Sequence, residues 1–195
     1  MKKKKRVGVL ALQGDFEAHQ KALERAGAEA VQVRTADQLA GVDGLVIPGG
    51  ESTTMLKLID YMGLKEPLRD FAAEKPVFGT CAGAILLAND VQNPPQESFG
   101  LVDMTIERNA YGRQIDSRVA RIEPDAEFQS RAGEGDVEAV FIRAPIVRRT
   151  GPAVKVLAEY DGDPVLLEQG KHLIATFHPE LTDDARIHKL FLSKL

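Results

Sequence analysis

The chain is 195 residues long, 44% apolar and 28% charged, and no apolar run approaches the ~20 residues that a membrane-spanning helix needs. Its 25 basic and 29 acidic residues give a formal charge of −4, with the basic excess gathered in the first six residues, so neither a nucleic-acid nor a membrane partner is expected. A single cysteine excludes an internal disulfide and a cysteine-rich metal site, and no metal ligand set is expected from one cysteine and scattered histidines.

The length fits one domain over residues 1–195. The start Met1-Lys2-Lys3-Lys4-Lys5-Arg6 is basic like a signal peptide, but the apolar stretch behind it is short and ends in Gln13-Gly14-Asp15 without a cleavage pattern, so a cytoplasmic protein is expected. Residues 6–12 read as a strand, 15–26 as a helix with Phe16, His19, Ala22, Leu23 and Ala26 at helical spacing, and 30–33 as a second strand. A strand at 44–47, a helix at 52–62, a strand at 77–79 and a helix at 82–88 continue the alternation. It predicts an α/β fold with a mostly parallel central sheet and helices on both faces. Beyond a proline-containing loop at 93–96 the pattern turns to strands, at 101–107, 114–122, 137–142, 154–159, 164–169 and 172–176, with Asp161-Gly162 as a hairpin turn. Residues 182–195 return to helical spacing.

Cys81 sits in Gly79-Thr80-Cys81-Ala82-Gly83, after a strand and before a helix, in the layout of a nucleophile elbow with sulfur in place of oxygen. Such a turn strains its central residue and brings its flanks close to their neighbours, which is a reason for the two glycines. The helix N-terminus would favour a thiolate, and the Ala82 N–H would face a developing oxyanion. The plainer alternative is a buried structural cysteine. A cysteine nucleophile needs a base, and of His19, His172, His178 and His188 only His178 has a carboxylate two residues on, in His178-Pro179-Glu180. In an extended segment the two side chains point to one side, so Glu180 could orient the imidazole; the other three histidines read as structural or surface residues.

Pro48-Gly49-Gly50-Glu51-Ser52-Thr53-Thr54 opens a helix and lacks the lysine of a P-loop, so it is either a site-lining loop or a turn with Ser52 or Thr53 as the helix N-cap. Arg108 and Arg143 lie at strand ends, where either could grip a substrate carboxylate or pair with a surface acid.

With these segments in hand the sequence resembles the class I (triad) glutamine amidotransferases, and within them the PdxT family, the glutaminase subunits of pyridoxal 5′-phosphate synthase. The likeness runs nearly end to end, through Gly8-Val9-Leu10-Ala11-Leu12-Gln13-Gly14-Asp15, the Gly-Gly-Glu-Ser-Thr-Thr loop, the elbow, Arg108-Asn109-Ala110-Tyr111-Gly112-Arg113-Gln114 and Thr176-Phe177-His178-Pro179-Glu180-Leu181. It implies a triad of Cys81, His178 and Glu180. It places L-glutamine against Gly49, Gly50, Glu51, Arg108, Ile142 and Arg143, with Gly50 and Ala82 forming the oxyanion hole. It further implies that no cofactor is needed and that ammonia passes to a separate (β/α)8-barrel synthase subunit in a hetero-oligomer, for vitamin B6 cofactor synthesis. The rival expectations are a glutaminase for another synthase, such as the imidazole glycerol phosphate enzyme, and a noncatalytic cysteine-sensing domain.

Overall fold

The computed structural model describes residues 4–110 and 117–195. The first three residues of the basic start, the expected strand over 114–116 and residues 111–114 of the Arg-Asn-Ala-Tyr segment lie outside the described residues.

The first half alternates strands and helices: β1 (Arg6–Leu10), α1 (Phe16–Arg25), β2 (Glu29–Val33), α2 (Ala36–Ala40), β3 (Gly44–Ile47), α3 (Ser52–Tyr61), α4 (Lys65–Glu74), β4 (Val77–Thr80) and α5 (Ala82–Leu87). There follow β5 (Ala88–Gln92), β6 (Val102–Glu107), β7 (Ser117–Ile122), α6 (Ala126–Ala132), β8 (Val137–Ile142), β9 (Ile146–Thr150), β10 (Lys155–Tyr160), β11 (Asp163–Gln169), β12 (His172–Ala175) and α7 (Arg186–Leu192). A 3₁₀ turn, Pro179–Leu181, precedes α7. The predicted α/β class is what the structure has. The sequence reading missed α2, α6, β5 and β9, which are five to seven residues long, and α4, a ten-residue helix with Pro67 near its start.

Among the described residues the main sheet has the order β10-β11-β12-β4-β3-β1-β2. Strands β12, β4, β3, β1 and β2 pair in parallel, and β10-β11-β12 extend the sheet antiparallel, with Asp161 (φ 52°) and Gly162 (φ 84°) turning the β10–β11 hairpin as expected. Because side chains alternate across a strand, a sheet buried on both faces needs apolar residues at successive positions. Val7, Val9, Val46, Phe78, Leu173 and Ala175 pack on one face, with Leu23, Phe128, Ile187 and Phe191 from α1, α6 and α7. Leu10, Leu45, Ile47, Val77 and Ile174 pack on the other, with Met55, Ile59, Leu68, Phe71 and Leu86 from α3, α4 and α5. Strands β5, β6 and β9 form a second sheet beside this latter cluster, and β7 and β8 form an antiparallel pair.

The order puts the carboxyl ends of β1, β3, β4 and β12 side by side, which is where open parallel sheets bind ligands.

His19, His172 and His188 are all buried. His172 Nδ1 accepts the Val77 N–H at 3.2 Å; burial first, then the Lys171 and Lys194 charges, lower its pKa to about 4. Burial lowers His188 to about 3 and depresses His19 as well. These folded-state values lie below the ordinary 6.5, so between pH 6 and 5 the unfolded chain binds more protons and stability falls as pH falls. Each histidine contributes up to about 1.4 kcal/mol per pH unit in that window. Urea midpoints measured at pH 6 and pH 5 should drop accordingly, and His172→Asn, which keeps an acceptor for Val77, should remove one histidine's share of the drop.

Candidate active site

Strand β4 runs into Cys81, which adopts φ 49° and ψ −106°, a left-handed conformation that costs a side-chain-bearing residue about 1–3 kcal/mol. Its N–H donates to Ala175 O on β12 at 2.9 Å, and α5 starts at the next residue. The flanking glycines have the steric role expected of an elbow. A Cβ on Gly79 would lie 2.6 Å from Gly83 O, and one on Gly83 would lie 2.0 Å from Ile47 O of β3. Ala82, as the first residue of α5, has an amide with no acceptor inside the helix.

His178 and Glu180 meet, but not by the extended geometry the sequence suggested. Pro179–Leu181 is a 3₁₀ turn, with proline fixing its first position, and Glu180 curls back so that Oε1 lies 2.7 Å from His178 Nδ1. The His178 N–H donates to Val140 O of β8 at 2.8 Å, which locks the start of the turn. Burial disfavours a charged His178, but hydrogen bonding with Cys81 and Glu180, together with their charges, pushes its pKa up to about 10. The same contacts couple the charged imidazole to both Cys81 and Glu180. Burial would raise the Glu180 carboxyl, but the adjacent His19 and the hydrogen bond and charge of His178 hold it below the usual range.

Cys81 and His178 open onto a cavity of about 430 Å³ that is also lined by Gly49, Gly50, Glu51, Ala82, Arg108, Ile142 and Arg143. All the residues expected to form the site, Glu180 excepted, thus line one cavity, and Glu180 stands buried behind His178. Its volume falls in the range of small-molecule pockets. Gly49 is required by close approach: a Cβ there would lie 2.5 Å from His178 Cε1 and 3.3 Å from Cys81 Cβ.

The loop after β3 is both a turn and part of the wall, and its helix cap is neither Ser52 nor Thr53. Glu51 is the N-cap of α3: its carboxylate accepts from the Thr53 and Thr54 N–H groups at 3.0 and 2.6 Å and from the Thr54 hydroxyl at 2.6 Å. These bonds outweigh the effect of burial and lower its pKa to about 2. The Glu51 side chain is thus occupied in capping. Arg108 Nη2 donates to Thr53 Oγ1 at 2.7 Å and lies 3.5 Å from Glu51 Oε1, so it both borders the cavity and pairs with an acid. Arg143 (φ 44°) is an exposed residue at the rim.

Sequence reasoning did not single out Gln13, whose Oε1 accepts the Glu51 N–H at 3.0 Å, or Gln96, whose Oε1 accepts from the Ser52 and Thr53 hydroxyls. It also left out His19, which lies beside Glu180. Only the position of His19 on the buried face of an amphipathic helix could have marked it. Among the described residues no three His, Cys, Asp or Glu side chains are grouped to hold a metal ion.

The model of the SNO glutamine amidotransferase family matches residues 9–195. The chain belongs to that family. It is 64% identical over 191 residues to a protein of Solibacter usitatus named pyridoxal 5′-phosphate synthase subunit PdxT, covering 98% of this chain and 100% of that one. A Koribacter versatilis protein of the same name is 56% identical over 96% of this chain and 94% of its own. A solved structure described as a glutamine amidotransferase superposes with a TM-score of 0.87 at 46% identity, over 96% of this chain and 97% of that chain. The elbow, the cavity and the His178–Glu180 pair thus belong to a glutamine amidotransferase family member.

Gly49→Ala should leave a folded protein whose His178 ring is pushed from its place. Because a misplacement of about 1 Å can cost ~10²-fold in rate, ammonia release from glutamine should fall by about that factor, with a thermal midpoint near wild type.

Proposed function

We propose that residues 1–195 form one glutaminase domain that hydrolyses L-glutamine to L-glutamate and ammonia through a Cys81 thioester, and that the ammonia feeds a pyridoxal 5′-phosphate synthase. The observation that carries this reading is the strained Cys81 facing a buried His178–Glu180 pair in a cavity of a glutamine amidotransferase family member.

In the proposed reaction the Cys81 thiolate attacks the side-chain amide carbon, and the carbonyl π electrons move onto oxygen. The Ala82 and Gly50 amides stabilise that oxyanion; one such donor is typically worth about 2.7–4 kcal/mol of barrier. As the oxyanion collapses, His178 gives its proton to the departing nitrogen, the C–N bond breaks and ammonia leaves. Water then attacks the thioester carbon while His178 takes its proton, and glutamate departs with release of the thiolate. Glu180 keeps the imidazole oriented and favours its charged form in both halves. Arg108 grips the α-carboxylate of glutamine, with Arg143, Ile142 and the 49–51 loop completing the pocket.

The names of the relatives support a synthase partner, and the (β/α)8-barrel subunit in a hetero-oligomer is the partner we propose, with a cytoplasmic location. Among the described residues no helix is long and apolar enough to cross a membrane. The adjacent Gly49 and Gly50 allow the peptide between them to reorient, so the oxyanion donor aligns fully only when the synthase is bound and idle hydrolysis is suppressed.

Ammonia release from glutamine, measured with and without the synthase, tests the reading. The partner should raise the wild-type rate; equal rates would remove the gating idea. Cys81→Ala and His178→Asn should each lose at least about 10³-fold in kcat. Arg108→Ala should raise KM by roughly ten- to a hundredfold, since a charge-assisted hydrogen bond is worth about 1.5–3 kcal/mol. A wild-type protein that releases no ammonia even with the partner would favour a cysteine sensor.

A further inference from the structure

We infer that His19 is a positioning residue for the triad, its Nε2 held on Thr80 Oγ1 beside the second carboxylate oxygen of Glu180 and its tautomer fixed by His188. The inference rests on Cys81, His178 and Glu180 acting as proposed above. His19 lies on the buried face of α1, fully enclosed, with Nε2 2.9 Å from Thr80 Oγ1 and 3.3 Å from Glu180 Oε2. Its Nδ1 lies 3.1 Å from His188 Nε2. Glu180 uses Oε1 on His178, while Oε2 is buried and, among the described residues, has no fully formed hydrogen bond. The oblique contact with His19 is what faces it.

The tautomers can be told apart by which groups each leaves unmatched. With the proton on Nε2, His19 donates towards Glu180 Oε2 and Thr80 Oγ1, and its Nδ1 accepts the His188 Nε2–H. Two acceptors, His188 Nδ1 and Glu180 Oε2, are then without a full hydrogen bond, and no N–H in the cluster is orphaned. With the proton on Nδ1, a lone pair on Nε2 would face the carboxylate at 3.3 Å, and His188 would carry an orphaned N–H. Buried orphan N–H groups are the rarer and costlier defect, so the first arrangement prevails.

The charged groups around this cluster agree. Burial dominates at His19 and keeps it neutral, with Glu180 and Asp15 opposing and His178 adding to the effect. Burial also dominates at His188, where His19 and Arg25 add to it and Glu180 and Asp184 oppose. What His19 presents to Glu180 at neutral pH is thus an N–H dipole. The placement is braced from outside: Arg25, one turn and a half along α1, donates from Nη2 to Thr182 O at 3.1 Å and ties the helix to the chain just past Glu180.

Cys81 is the only cysteine, so its alkylation by iodoacetamide as a function of pH reads the thiol–imidazole pair without glutamine. Ammonia release in the presence of the synthase reads catalysis. His19→Leu, which fills the space without a donor, should slow alkylation at pH 7 about tenfold, move its profile up by about one pH unit and lower kcat by about tenfold with KM unchanged. His19→Gln, whose amide nitrogen can stand near Nε2, should restore most of each. His172→Asn, at a buried histidine elsewhere in the sheet, should move neither the profile nor kcat. If His19→Leu does not fold, His188→Leu decides, with a smaller shift in the same direction expected. A folded His19→Leu or, in that case, His188→Leu protein with the wild-type profile and kcat would overturn the inference, as would equal impairment of the Leu and Gln variants. A His19-dependent alkylation profile in a protein that releases no ammonia would support the positioning role and sink the glutaminase reading.

Discussion

The site depends on one steric constraint, the close approach of the elbow to the strand beside it. Gly83 stands so near Ile47 O, and Gly79 so near Gly83 O, that α5 can leave β4 only along a path crossing the end of β3. That path forces Cys81 into its left-handed conformation and lifts its side chain away from the sheet. The bond from Cys81 N–H to Ala175 O fastens the same turn to β12, whose continuation supplies His178 and Glu180. Cys81, His178 and Glu180 are therefore placed by the register of three adjacent parallel strands and not by a flexible loop.

Geometry of this kind has an electrostatic consequence. Burial works against the charged forms of both His178 and Glu180. The contacts with Cys81 and then Glu180 favour the charged His178, and those with His19 and then His178 favour the charged Glu180. Placing Glu180 on a 3₁₀ turn, with its backbone bonded to His178 O through Leu181 and to Pro179 O through Thr182, limits the freedom of the carboxylate to turn away. The ion pair can then tolerate its desolvation, because neither partner can leave the other unmatched.

How much of this was legible in the sequence follows from the range of the interactions. Cys81 was readable because an elbow is local: its glycines, strand and helix all fall within a dozen residues. His178-Pro179-Glu180 was also local, although a proline that looked compatible with extended chain in fact begins a 3₁₀ turn. Cap identity was misjudged because Ser and Thr are the commoner caps, whereas Glu51 has the reach to bond two amides and a hydroxyl at once. His19 was illegible in another way. Its spacing on α1 said only that it faces inward, and what it meets there is Glu180, brought from 161 positions along the chain by the sheet order. Periodicity reports burial and cannot name the buried neighbour.

The wall opposite Cys81 is a short loop held from several parts of the chain. Its Glu51 end is held by three distant segments: Gln13 receives the Glu51 N–H, Gln96 receives the Ser52 and Thr53 hydroxyls, and Arg108 donates to Thr53. Gly49 and Gly50, upstream of those bonds, have no side chain through which to be fixed, and Gly50 has φ 149°, a region that residues with a Cβ rarely enter. An anchored helix start thus adjoins two glycines packed closely against Gly14 and Gln13. Among the described residues, the side-chain bonds at the start of α3 hold the helix side of this loop.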